Sequence, residues 1–282
     1  MSDLKRSLGT PKALAPSRAV AHRAVQFLTA AARANLRAAP DDSHSNLEWS
    51  PEKQAFLTHP MPVGQGHCQV GLSPASMILV FVCSDGPSRQ LDLPGRSCAE
   101  AMAWLDEQLE DEGMLPASVA KIPYALPEDV AQIDVFPSMS GLRLDALMGW
   151  YSLAVRTITP LARGLADVRP GPSQIRCWPH HFDIATYVAL EEGDAETARG
   201  IGVGLSPGDQ SYDQPYFYMY PWPQHKSGAL SGAIEPGHWH RNGFAGAVAT
   251  GDELLAQPDI CTGTQQFLQR AFDIGRTALK VS

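Results

Sequence analysis

The pentapeptide Val70-Gly71-Leu72-Ser73-Pro74 recurs letter for letter as Val203-Gly204-Leu205-Ser206-Pro207. Each copy lies some fifty to sixty residues beyond the start of a helix-patterned segment, and each is followed by further strands and a second helix. Matching order around a matching pentapeptide predicts a duplicated helix–sheet–helix unit. The expected fold is therefore α+β: two pseudo-repeated halves, each a mainly antiparallel sheet with flanking helices. There are too few helices between strands for a regular parallel sheet.

The periodicities set the boundaries. Residues 1–16 mix Lys5, Arg6 and Lys12 with Gly9, Pro11 and Pro16 and are expected to form a mobile tail. Ser17 is a candidate N-cap for a helix through Val20, Ala24, Phe27, Leu28 and Ala31 that stops before Pro40. Strand patterns follow at Gln54–Thr58, His67–Leu72, Met77–Ser84 and Arg89–Leu93, and Ser97 opens a helix to Glu112. The first half, 17–137 with its connector, reads as scaffold. The second half, 138–282, runs from a helix at Leu142–Leu165, kinked at Pro160, into five strands and a last helix at Thr262–Leu279.

Those five strands are expected at Ile175–Cys177, Phe182–Leu190, Gly200–Leu205, Tyr216–Pro221 and Phe244–Ala249. Five of the nine histidines fall between Trp178 and His240, four of them in the pairs His180-His181 and His238-Trp239-His240. Imidazoles with a nearby carboxylate suit Zn(II), Fe(II) or Cu(II). In an extended segment His181 and Asp183 share one face, and His238 and His240 do so in theirs. The candidate metal ligands are His180, His181, Asp183, His238 and His240, holding a divalent metal such as Zn or Fe. Glu235 and Asp209 are the candidates for moving protons. The bland reading is a turn satisfied by backbone hydrogen bonds, with Asp183 orienting His181 and no metal.

Half of the chain's aromatic side chains surround these histidines. Alternation along Tyr216–Trp222 puts Tyr216, Tyr218, Tyr220 and Trp222 on one face and Phe217 and Met219 on the other. Trp178, Tyr216, Tyr218, Tyr220 and Trp239 are the expected substrate-binding wall, although ordinary sheet packing would use the same residues. His181-Phe182-Asp183 with His238 imitates a two-His-one-carboxylate triad, but no arginine for a 2-oxoglutarate carboxylate follows at the usual short distance after the distal histidine. A cupin would want a glutamate shortly after His240, and none is there.

The segments Cys177–Ala185, Gly202–Pro223 and Gly237–His240, together with Asp85–Gly113 in the first half, resemble a bacterial family known only as a domain of unknown function. That resemblance implies no particular reaction.

Composition removes other classes. A formal net charge of −8 opposes binding to a phosphate backbone, so no nucleic-acid partner is expected. The longest wholly apolar run, Met77–Cys83, is too short to span a bilayer, so no membrane partner is expected and the reading is cytoplasmic. No phosphate loop or dinucleotide fingerprint is present, so no nucleotide cofactor is indicated. Five cysteines without a Cys-x-x-Cys pair support neither a disulfide framework nor a thiolate zinc knuckle; most read as small buried hydrophobes. The function these residues point to is a metal-dependent small-molecule enzyme, a hydrolase or oxygenase, working in the second half. The alternative is a non-catalytic binding protein that uses the aromatic, histidine-rich surface to hold a ligand or partner. The sequence leaves the oligomeric state open.

Overall fold

Each copy of the repeated pentapeptide sits at the end of an inner strand of an antiparallel sheet. The computed structural model describes residues 3–194, 196–223 and 230–280. Helices and two antiparallel sheets make the fold α+β. The chain divides into an N-terminal unit, Leu14–Met148 with Cys177–Phe182, and a C-terminal unit, Met1–Ala13 with Gly149–Arg176 and Asp183–Ser282.

The C-terminal unit begins with the short helix α1 (Asp3–Ser7), and α2 (Ala15–Asn35) opens the N-terminal unit. Strands β1 (Glu48–Ser50), β2 (Ala55–Leu57), β3 (Met61–Val63), β4 (Gly66–Ser73), β5 (Ile78–Cys83) and β6 (Arg89–Asp92) form one sheet in the order β1-β2-β4-β5-β6, with β3 also on β4. Helix α3 (Cys98–Asp111) and the single turn α4 (Glu128–Ala131) follow. Alternation decides which face is buried: Val70 and Leu72 of β4 and Leu79 and Phe81 of β5 are fully buried, as are Val25 and Leu28 of α2. Each such side chain contributes roughly 1.5–3 kcal/mol by leaving water. Helix α3 starts where the sequence says it should, because Ser97 and Glu100 close a reciprocal capping box. Ser17 is different. It lies inside α2, and its hydroxyl accepts from the Arg143 backbone N–H at 2.7 Å.

Helix α5 (Leu144–Gly164) begins in the N-terminal unit and continues in the C-terminal one, carrying Pro160 inside it as expected. The strands β7 (Gly171–Pro172), β8 (Arg176–Trp178), β9 (Asp183–Ala189), β10 (Gly200–Ser206), β11 (Tyr216–Trp222), β12 (His238–His240) and β13 (Gly246–Thr250) follow. The second sheet runs β12-β13-β11-β10-β9-β7. A short helix α6 (Gly251–Leu255) and the long α7 (Ile260–Ala278) complete the unit, and α7 lies against β10, β11 and β13. Phe217 and Met219 face that helix and are fully buried.

On the opposite face, β10 presents Gly200, Gly202 and Gly204. The rings of Tyr187, Tyr220 and Tyr218 lie directly across these three positions, and a Cβ on any of them would run into a tyrosine. The glycines are there to admit the rings, while Ile201, Val203 and Leu205 fill the core on the α7 side.

The expected N-terminal tail is instead ordered from Asp3. Leu8 is fully buried, and its carbonyl accepts from the Trp150 indole N–H at 3.2 Å. A 3-10 turn covers Pro11–Leu14. An apolar anchor every few residues is enough to fix a segment whose charge pattern looked mobile; Met1 and Ser2 lie outside the described residues. The expectation about cysteine also fails, since Cys68 and Cys83 face each other across β4 and β5 and form a disulfide. Among the described residues no helix is long and apolar enough to cross a membrane.

Candidate functional site

The six residues Cys177–Phe182 belong to the N-terminal unit, although the chain on either side of them belongs to the other. Cys177 bridges to Leu47. The Pro179 carbonyl accepts from His22 Nε2 at 2.8 Å and from the Gln26 amide at 3.0 Å, and the Phe182 ring stacks on His22 with centroids 5.2 Å apart. Phe182 takes a left-handed backbone conformation, φ 56°, to close the turn, its N–H bonding the Trp178 carbonyl at 2.7 Å. His180 and His181 therefore sit on a turn clamped to α2. Burial drives the His22 ring down to about 4 and the His180 ring likewise to about 4, with His181 adding to the His180 shift. Tyr124 packs against His180, and burial pushes its phenol up to about 12. Trp178 meets His180 edge-on in this cluster. It belongs to the N-terminal unit, and Tyr216, Tyr218, Tyr220 and Trp239 belong to the C-terminal one.

Asp183 opens β9 in the C-terminal unit and accepts a short hydrogen bond from the Tyr218 hydroxyl. Strands β9 and β13 are separated by β11 and β10. Four strand steps lie between Asp183 on β9 and the histidines on β12, roughly 19 Å along the sheet at ~4.8 Å per step. The structure accordingly does not bring Asp183 together with His238 and His240, while His180 and His181 belong to the N-terminal unit.

It does bring His238 and His240 together, around a residue the sequence reading missed. Both project from one face of the edge strand β12, and Tyr212 Oη lies 2.9 Å from His238 Nε2 and 2.8 Å from His240 Nδ1. The far nitrogens are also engaged. His238 Nδ1 is 3.0 Å from the Glu253 carboxylate, and His240 Nε2 meets the Asn242 carbonyl at short range. Since both outer partners are acceptors, each outer nitrogen carries a hydrogen, an assignment that follows from the network. Two imidazole lone pairs then point at one phenol oxygen that has a single proton to give. One more proton, or a cation, completes the arrangement.

Local structure explains how these groups are held. Asp209 Oδ1 accepts from the backbone N–H groups of Ser211 and Tyr212, at 2.7 and 3.1 Å, so the turn after β10 presents Tyr212. Its Oδ2 accepts from the Tyr216 hydroxyl at 2.6 Å. Asp209, expected to move protons, accepts three hydrogen bonds that shape this loop. Glu253 closes a capping box with Thr250 at the start of α6, through Oε2, and turns Oε1 to His238. Burial, with the nearby Glu253 and Asp209 charges, raises the Tyr212 phenol above its ordinary value. Glu235 is exposed beside the Glu235–Pro236 cis bond, and its backbone carbonyl accepts from Arg270 at 3.5 Å.

The expected aromatic wall divides similarly. Tyr216 and Tyr218 are buried with their hydroxyls on Asp209 and Asp183, and burial is the main cause of their raised phenol values. Tyr220 stacks near Tyr218 and is pushed up to about 12. Trp239, on the opposite face of β12 from the two histidines, donates its indole N–H to the Gly232 carbonyl at 2.9 Å. A surface cavity of about 900 Å³ is lined by Gln266, Gln269, Arg270 and Asp273 of α7 and includes none of the expected site residues.

No protein-family model, no curated protein and no solved structure matches this chain.

Proposed function

We propose that the C-terminal unit is a metal-dependent small-molecule enzyme whose centre is Tyr212, His238 and His240. One observation carries this reading: two imidazole nitrogens converge on a single phenol oxygen while their outer nitrogens are both anchored. The donor set fits a borderline divalent ion such as Zn or Fe. His238 Nε2 and His240 Nδ1 would be the nitrogen ligands and Tyr212 Oη an oxygen ligand, with Glu253 as the carboxylate behind His238. An ion bound there would polarise a substrate oxygen or make a bound water acidic.

The chain's own contribution is preorganisation. Glu253 fixes the His238 ring and its tautomer, the Asn242 carbonyl does the same for His240, and Asp209 holds the Tyr212 backbone. With its value raised, Tyr212 keeps its proton at neutral pH until an ion binds, and would give it up as its oxygen becomes a ligand. The half-buried histidines leave the cluster open to a small ligand.

Elemental analysis of protein purified without a histidine tag tests the reading. One Zn or Fe per chain in the wild type, lost in His240→Ala and reduced in Tyr212→Phe, supports it. Sub-stoichiometric metal that does not change in either variant overturns it in favour of a binding protein.

A further inference from the structure

The sulfur pair in the N-terminal unit has a neighbour that a structural disulfide does not need. Cys68 of β4 and Cys83 of β5 are directly opposed in the strand register. A carboxylate oxygen of Glu112, at the end of α3, and both sulfurs lie within 4.8 Å of one another. Among the described residues this is the one group of three or more His, Cys, Asp and Glu side chains that close. Cys68 is fully buried, whereas Cys83 and Glu112 are partly exposed, which gives solvent access from one side. Arg89 makes a short ion pair with Glu112, lies 3.6 Å from Asp111 and stacks over Phe81 at 4.9 Å. The Glu112 carboxylate is thereby fixed beside the sulfurs.

We infer that, once reduced, Cys68 and Cys83 form with Glu112 a redox-gated site for a soft divalent cation of the zinc and cadmium class. Reduction by an external dithiol breaks the sulfur–sulfur bond; two electrons and two protons give two thiols, and the reductant becomes a disulfide. Loading a cation releases the two thiol protons and leaves two thiolates and one carboxylate as ligands. Thiolate pairs select zinc-like ions, and a carboxylate is an accepted third ligand, with water free to take the fourth position. The Arg89 guanidinium beside the cluster offsets the negative charge of three anionic ligands. Because the same sulfurs make either the disulfide or the metal bonds, oxidation and metal binding exclude each other. The site is independent of the Tyr212 cluster, being in the other unit and of different ligand chemistry.

The test is cadmium titration of the full-length protein, reduced and then freed of reductant without air, followed by the ultraviolet thiolate-to-cadmium charge-transfer band. That band reports sulfur ligation alone, so binding at histidines is silent. The expected result is a band that saturates at one cadmium per chain in the reduced protein and is absent from the oxidised protein and from Cys83→Ser. Glu112→Gln, which keeps the sulfur pair, should weaken cadmium binding at least about tenfold, a loss that even outer-sphere partners can cause. No band in the reduced wild type, an equal band in Cys83→Ser, or unchanged affinity in Glu112→Gln would each overturn the assignment. Should Cys83→Ser fail to fold, the oxidised protein and Glu112→Gln still decide it.

Discussion

Glu253 serves His238 and the start of a helix with one carboxylate. Its Oε2 accepts from the Thr250 backbone N–H at 2.7 Å and from the Thr250 hydroxyl at 2.8 Å, while Oε1 stands 3.0 Å from His238 Nδ1. Fold and chemistry can be separated at this residue. In Glu253→Gln the amide oxygen can still cap α6, because glutamine is an accepted partner in a capping box. Its NH2 group then faces His238, so Nδ1 must become the acceptor and Nε2 the N–H. The expected outcome is unfolding stability within about 0.5 kcal/mol of wild type, with weaker uptake of the metal proposed for the Tyr212 centre and a reversed His238 tautomer in nitrogen NMR. A variant that keeps its metal would show that Glu253 does not set the ring.

The tyrosines over β10 give a second prediction. Gly202→Ala puts a Cβ into the Tyr220 ring, whereas at Gly86, between β5 and β6, the same change meets open space. Overpacking in a filled site costs about 1–3 kcal/mol. Urea midpoints should fall for Gly202→Ala and stay near wild type for Gly86→Ala; equal midpoints would mean the ring can move aside freely.

A smaller effect is expected at α3. Ser97→Ala removes the oxygen that accepts from the Glu100 N–H at 3.1 Å. Loss of an N-cap costs about 1 kcal/mol, readable as a lower urea midpoint with an unchanged slope.

What was legible in the sequence follows from how local each signal is. Alternation in β11 puts Phe217 and Met219 opposite Tyr216, Tyr218 and Tyr220, and Ser97 marks a helix start, because both signals depend on neighbours in the chain. Strand edges agreed to within a few residues in most cases, whereas β1 and β3 are too short to carry a pattern. The Cys177–Phe182 segment could not be placed, since its partners Leu47, His22 and Gln26 are more than a hundred residues away. Opposition of Cys68 and Cys83 becomes visible only once the β4–β5 register is known. His238 and His240 were singled out for their spacing, but Tyr212 lies in a turn without periodicity. Glu253 does leave a trace, the Thr250-x-x-Glu253 capping box, which points to a helix and says nothing about a histidine.

His22 makes stability depend on acidity. The ring lies in α2 between the Pro179 carbonyl and the Phe182 ring, and burial holds it at about 4 against 6.5 for the free side chain. Arg18 and His181 oppose its protonation and Asp129 favours it. Because the folded value is the lower one, the unfolded chain takes up a proton below about pH 6.5 while the native chain does not. Stability is therefore fully present near neutral pH, falls as the pH drops through this window, and levels off near pH 4. At about 1.4 kcal/mol per unit the full effect is roughly 3 kcal/mol. His22→Gln keeps a donor for the Pro179 carbonyl without a titrating ring. Urea unfolding at neutral pH and near pH 5 should show a shallower acid loss in the variant than in the wild type. Some slope remains in both, because His180 is lowered for the same reason. Parallel profiles would mean that the His22 ring takes up its proton in the folded protein as readily as in the unfolded chain.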